Sequence, residues 1–259
     1  MIFYISGTGN TKWAAAQISE AVNERLIDIS KAAPGPQIYE LGDGERIGFC
    51  FPVHGWRPPM IMRNFIKRLS VKNIDGHYSY ALCTAGDTIG ETVDILRNDL
   101  HARGIHLDGA FSLIMPESYV GLPFMDVDTP DNENRKKQHA AEDLKHYTEL
   151  IVKRGKSTEH LTVGKWPRIN SRLLGAVFTN HMITDKPFRV TEDKCVKCGI
   201  CAESCPVSNI TMTNGGYPQW AHDGSCLACF SCYHHCPRHA IEYGKRTKNK
   251  GQYYFSHRK

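Results

Sequence analysis

Four stretches of the chain are largely apolar without interruption: "MIFYI" at 1–5, "IGFCFPV" at 47–53, "YSYALCTAG" at 78–86 and "AFSLIMP" at 110–116. Runs of this length bounded by turn residues predict buried strands. Between them the apolar spacing turns helical. Trp13, Ala16, Ala21 and Val22 share one face of a segment from Thr11 to Leu26, and helices are predicted near 59–69, 91–103 and 133–153. Buried strands alternating with helices specify a parallel sheet covered on both faces, an α/β doubly wound architecture. Right-handed crossovers then leave the carboxyl ends of the strands as the place for a ligand.

The pattern changes after residue 153. In "WPRINSRLLGAVFTNHMI" the apolar residues Ile169, Leu173, Leu174 and Val177 form a helical stripe, so 154–185 is predicted to be a packed helical linker and not a loose tether. From 186 to 259 neither pattern persists, and eight of the ten cysteines fall between 195 and 236. Crowding of this kind points to metal, not to disulfides. The chain is thus read as a first domain at 1–153, the linker, and a small α+β second domain at 186–259 ending in a basic tail.

Three loops follow the predicted strands of the first domain. The first, "SGTGNT", places the hydroxyls of Ser6, Thr8 and Thr11 beside the amides of Gly9 and Asn10 at a helix start, where orphan N–H groups favour an anion. A nucleoside-triphosphate loop would need Gly-Lys-Ser/Thr, and no glycine directly precedes Lys12. A dinucleotide fingerprint from Gly7 finds Gly9 but then Lys12 where a small residue must stand. A terminal phosphate dianion remains. The second loop, around Pro52, Val53, His54, Gly55 and Trp56, supplies two flat rings about a glycine. The third supplies Thr84, Ala85, Gly86 and Asp87. An isoalloxazine ring needs an aromatic platform, amides at its polar edge and a peptide free to change its hydrogen bonding, and these loops offer all three. The order of loops over roughly residues 1–153 resembles the flavodoxins. That resemblance implies a flavodoxin-like fold and FMN, with Ser6, Thr8, Gly9, Asn10 and Thr11 at the phosphate and the other two loops at the ring. Flavodoxins usually carry acidic residues near the flavin, where this chain has His54 and Arg57, so a strongly depressed flavin potential is not implied.

"CVKCGICAESCP" at 195–206 and "CLACFSCYHHCP" at 226–237 are two copies of C-x2-C-x2-C-x3-C-P. At this spacing three cysteines wrap a tight loop around three corners of an iron–sulfur cube, and the fourth is directed at the other cube. The ligand sets therefore cross: Cys195, Cys198, Cys201 and Cys236 for one [4Fe-4S] cluster, and Cys226, Cys229, Cys232 and Cys205 for the second. Structural zinc sites favour separated cysteine pairs over triplets and do not account for Pro206 and Pro237. The radical S-adenosylmethionine spacing is absent. Residues 186–245 resemble the bacterial two-cluster ferredoxins at every ligand. His234 and His235, beside Cys236, are read as surface histidines.

Charge sharpens this picture. Residues 1–153 hold 16 Lys and Arg against 20 Asp and Glu, a net −4, so the rest of a chain of net +5 carries +9. Two clusters at about two negative charges each would offset part of that excess, which argues against nucleic acid as the partner. The run "GKRTKNKG" at 244–251 is read as a solvated tail that could dock an acidic redox partner protein. No stretch is long and apolar enough to span a membrane and no export signal is seen, so the expected location is cytoplasmic. As a whole the chain resembles the flavodoxin-ferredoxin fusion proteins of anaerobic bacteria. FMN exchanges electrons singly or in pairs and each cube carries one, so the first expectation is an electron carrier relaying electrons between two [4Fe-4S] clusters and FMN. The alternative is an FMN-dependent reductase of a small-molecule substrate, with "MPESYVGLPFMD" at 115–126 as its lid. In that segment Glu117 and Tyr119 are the candidates for chemistry and are otherwise read as surface residues.

Overall fold

The computed structural model describes residues 1–157 and 160–256. The amino-terminal region contains β1 (Ile2–Tyr4), α1 (Asn10–Val22), β2 (Leu26–Asp28), β3 (Gln37–Glu40), β4 (Ile47–Pro52) and α2 (Met60–Arg68). After these come β5 (Leu69–Lys72), β6 (Ser79–Ala85), α3 (Thr92–His101), β7 (Gly109–Ile114) and α4 (Pro130–Val152). The main sheet has the order β2-β1-β4-β6-β7 with every pair parallel. Counting only these five strands along the chain gives 2-1-3-4-5, the flavodoxin-like doubly wound order. A separate parallel pair, β3–β5, lies beside it.

The uninterrupted apolar runs become strands buried on both faces. Along β4 and β6, Phe49, Phe51, Ala81 and Cys83 enter the core on one face, while Cys50, Tyr80 and Leu82 enter the core on the other. This is the period of two expected of a strand. The second face packs against Ala14, Ala15 and Ile18 of α1 and against Ala140, Leu144 and Tyr147 of α4. Helix α1 stops at Val22, where Asn23 adopts a left-handed conformation (φ 52°) and caps the helix, so the expected helical stretch to Leu26 gives way to the edge strand β2. Helix α4 begins earlier than its apolar stripe predicts, because Thr129 caps it and Pro130 fits the first turn.

An irregular helix follows: π-helical at Ile169–Leu174, α-helical at α5 (Gly175–Val177), and π-helical again at Phe178–Met182. The expected stripe does not pack the domains together. Ile169, Leu173, Leu174 and Val177 are all exposed, together with Trp166. The packed face is the narrow opposite one. Gly175 lies against the Gly55 carbonyl, Phe178 covers Gly55, and the buried Ser171 donates to the Trp56 carbonyl and accepts from the Glu91 amide. Small residues permit the close approach, and polar partners hold it, so apolar periodicity pointed to the wrong face.

The carboxyl-terminal region is a small α+β ferredoxin-like domain. It contains β8 (Phe188–Val190), α6 (Ile200–Glu203), β9 (Ile210–Met212), β10 (Pro218–Trp220), α7 (Ser231–His234) and β11 (Ile241–Tyr243), with antiparallel pairs β8–β11 and β9–β10. A third core gathers Phe188, Trp220, Phe230, Tyr233 and Tyr243, and Val120 from the 115–126 segment completes it. The run after β11 is solvated at Lys245, Arg246 and Lys248 but is tied down at two points. Thr247 is fully buried, and the Lys250 ammonium donates to the carbonyls of Val120, Leu122 and Met125. Residues 250–255 form a strap laid across both regions.

Candidate functional site

Two cavities lie in the cysteine region. Cys195, Cys198, Cys201 and Cys236 line the first, with Pro237; Cys226, Cys229, Cys232 and Cys205 line the second, with Pro206. Each cavity therefore takes three cysteines from one copy of the repeat and the fourth from the other. The backbone repeats as closely as the sequence. Left-handed residues recur at matched positions: Lys197 and Ala228, Gly199 and Phe230, Ser208 and His239. Successive bends of this kind curl each loop around its cavity. Phe230 holds the left-handed conformation without being glycine, and its ring is locked among Tyr119, Phe188, Tyr233 and Tyr243. The fourth cysteines also correspond: the Asn209 amide donates to Cys205 Sγ at 3.3 Å and the Ala240 amide to Cys236 Sγ at 3.2 Å. Such N–H···S bonds favour the thiolate and tune a bound cluster.

Burial pushes the Cys226 thiol up to about 12 and those of Cys229 and Cys201 up to about 11, and it raises Cys232 as well. A thiolate in such a place needs a cation at the sulfur, which iron would provide. His234 is buried and not at the surface. Its Nε2 meets the Ser118 carbonyl at 2.7 Å, its Nδ1 accepts from the Tyr253 amide, and burial pulls its pKa down to about 4, so it is a neutral bridge between segments. His235 is half-buried and stacks on Tyr254.

The three loops do converge at the carboxyl edge of the main sheet. Thr11 Oγ1 and Thr84 Oγ1 share a hydrogen bond of 2.7 Å that ties the first loop to the third. Ser6 Oγ accepts from the Gly9 amide, and Gly9 opens α1 with φ 98°. Ser171 joins the second loop to the start of α3. Trp56 Nε1 donates to Thr88 Oγ1 at 3.1 Å, next to Asp87, which is exposed. Pro52 ends β4 and Val53, His54, Gly55 and Trp56 follow it, while Ala85 ends β6 and Gly86 follows, as the sequence implies. Burial lowers His54 to about 4, so the imidazole is neutral and Arg57 alone brings charge to this loop. Arg57 is itself tied to the Ser171 carbonyl.

Chain from far away in sequence covers these loops. Gly7 packs against Cβ and Sγ of Cys229, and Ser231 Oγ donates to the Gly7 carbonyl at 3.0 Å. A Cβ on Gly9 would lie 3.0 Å from Phe255 Cβ; the Phe255 amide donates to the Thr8 carbonyl, and Phe255 stacks on Trp13. Tyr253 donates to Asn10 Oδ1 at 2.6 Å, and Asn10 in turn donates to the Pro116 carbonyl. Phe178 covers Gly55, and the Glu117 carboxylate is in contact with Gly86. Glu117 and Tyr119 are therefore half-buried between the two regions and not free surface residues. Glu117 Oε1 accepts from the amides of Ser118 and Tyr119, and burial raises its pKa. The Tyr119 ring meets those of Phe178 and Phe230 edge-on. The expected lid is a clamp between the two regions. In the first loop Thr8, Asn10 and Thr11 are buried, the Gly9 amide is taken up by Ser6 Oγ, and the strap lies against Gly9 and Asn10.

Residues 188–237 match the family model described as a 4Fe-4S dicluster domain. No curated protein matches the chain. Among solved structures, the chain is similar to a putative flavoprotein from Bacteroides uniformis at 21% identity, over 44% of this chain and 88% of that one, with a TM-score of 0.35. It is similar to the Trp repressor binding protein from Bacillus subtilis at 14% identity, over 58% and 97%, with a TM-score of 0.36. A third likeness is to rubredoxin oxygen:oxidoreductase from Desulfovibrio gigas, at 14% identity over 58% and 36%, with a TM-score of 0.31. Among the described residues no helix is long and apolar enough to cross a membrane.

Proposed function

We propose that this protein transfers electrons, holding two [4Fe-4S] clusters in its cysteine cavities and FMN at the carboxyl edge of its parallel sheet. The observation that carries the reading is the pair of cavities, each ringed by four cysteines in crossed sets. Cys195, Cys198, Cys201 and Cys236 would hold one cluster, and Cys226, Cys229, Cys232 and Cys205 the other. Three cysteines spaced C-x2-C-x2-C with a fourth from the other copy suit the corners of a cube, whereas structural zinc favours separated cysteine pairs. A bound cluster supplies one-electron chemistry. The chain around it supplies the amide donors to sulfur, the apolar wall of Phe188, Ile210, Trp220 and Phe230 about the second cavity, and the fixed position of that cavity against Gly7.

For FMN the support is the donor set. Ser6, Thr8 and Thr11 with the amides of Gly9 and Asn10 would hold the phosphate, and the loops at 52–56 and 84–87 would flank the ring. The match to a 4Fe-4S dicluster model supports the iron–sulfur half of the reading only. Protein purified without oxygen is expected to carry about eight irons, eight acid-labile sulfides and one FMN per chain. Tightly held zinc without sulfide would refute the clusters, and clusters without flavin would refute the FMN site alone. A second reading, an FMN-dependent reductase of a small molecule, draws on Glu117, whose buried carboxylate touches Gly86 of the third loop. Catalytic turnover of a small oxidant that is lost in Glu117→Gln while the clusters stay intact would favour it.

A further inference from the structure

The two cysteine cavities face different surroundings. At the first, Cys198 is exposed and the neighbouring Val196 is 57% exposed. Lys197 and Arg238 line this cavity and are exposed, and no acidic residue lines it. Lys197 Nζ sits 4.4 Å from the Tyr217 ring, which fixes the charge at the mouth. Lys194 is exposed just before the motif, as are Glu192 and Asp193, none of which lines the cavity. At the second cavity no cysteine is exposed and no charged side chain lines the wall. Cys229 turns inward to Gly7, and Phe230 turns inward to Tyr119.

We propose that the first cavity is the port at which this protein exchanges electrons with its partner, and that the partner is a one-electron carrier protein whose own redox centre is rimmed by acidic residues. The proposal rests on the cluster reading above and names which cluster meets the partner. An exposed apolar centre, Val196, with a cationic edge, Lys197 and Arg238, is the anatomy of a transient docking surface. Complementary charge there speeds encounter more than it tightens binding. One electron passes from the partner's reduced centre, which is oxidised, to the cluster of the first cavity, which is reduced; the reverse transfer uses the same mouth. The second cavity packs on the parallel-sheet region through Cys229 and Gly7, so its cluster exchanges electrons within the chain.

The test uses the full-length protein with its clusters loaded and reduced. Rates of oxidation are measured with hexacyanoferrate(III) and with hexaammineruthenium(III), an anion and a cation that each take one electron. Lys197→Glu combined with Arg238→Glu is expected to slow the anionic oxidant by about tenfold or more at low ionic strength and to speed the cationic one, with both effects fading in high salt. Lys67→Glu combined with Lys145→Glu changes net charge equally on exposed helical positions far along the chain and is expected to alter neither rate by more than about twofold. Equal slowing by the two pairs, or no change from the mouth pair, overturns the port. Iron content and visible absorbance are measured first. Should the reversed charges disturb the cluster, Lys197→Gln with Arg238→Gln must give the same signs at smaller size, and its failure to do so overturns the port as well. Chains that bear no iron at all would contradict the cluster reading instead.

Discussion

The cysteine region carries its geometry in short repeated segments, whereas the three loops at the sheet edge are enclosed by chain from far away in sequence. In the first, twelve residues contain a loop, its left-handed bends and three of four cysteines, and a second copy completes it. In the second, Gly7 meets Cys229, Gly9 meets Phe255, Gly55 meets Phe178 and Gly86 meets Glu117. One region can thus be damaged one motif at a time, while the other responds to changes remote from its donors. The two also share an edge, because Cys229 belongs to one and packs on the other.

The sharpest way to break this contrast is Cys236→Ala. Removing the fourth cysteine should empty the first cavity and leave the second, taking iron from about eight to about four per chain. Loss of both clusters or of the second alone, read by iron analysis and paramagnetic resonance, would contradict the crossing. Next in size is Thr8→Ala with Thr11→Ala, which should weaken FMN by about 3–6 kcal/mol if each charge-assisted hydrogen bond contributes about 1.5–3 kcal/mol. Titration of flavin into the apoprotein reads this, and unchanged affinity would put the phosphate elsewhere. Lys250→Met should follow. The ammonium bridges three carbonyls of the clamp, so its loss should cost about 2 kcal/mol in unfolding and speed proteolysis of the strap. An unaltered denaturation midpoint would mean that the strap contributes nothing. Smallest of all is Leu173→Gln on the exposed stripe, expected within about 0.5 kcal/mol of the parent, against a clear destabilisation for Gly175→Leu on the packed face. Reversal of that order would restore the stripe as a packing surface.

Four strands of the main sheet were legible because strands such as β4 and β6 are buried on both faces and so read as continuous apolar runs; the short, partly exposed β2, β3 and β5 were not. The cavities were legible because C-x2-C-x2-C-x3-C-P is a local instruction. What covers the loops was not, since Tyr253, Phe255 and Lys250 look like the end of a basic tail until tertiary structure supplies Asn10, Trp13 and three carbonyls as partners. The stripe misled for a related reason. The face that packs is made of Ser171, Gly175 and Phe178, held through hydrogen bonds and close backbone approach, and neither leaves an apolar period. Glu117 and His234 were misread as surface residues because polarity alone does not reveal a side chain whose partners are backbone amides and carbonyls.

A relay between the two regions needs its centres at fixed separation. Packing of Cys229 on Gly7, the Ser231 bond to the Gly7 carbonyl and the strap from Lys250 to Phe255 hold them at fixed separation. Electron exchange between clusters and flavin is then intramolecular. Rapid reduction of the clusters without oxygen, followed through the flavin absorbance, tests this directly. The flavin reduction rate should stay constant on roughly tenfold dilution of the protein, as a unimolecular step requires. A rate that falls in proportion to protein concentration would contradict the relay.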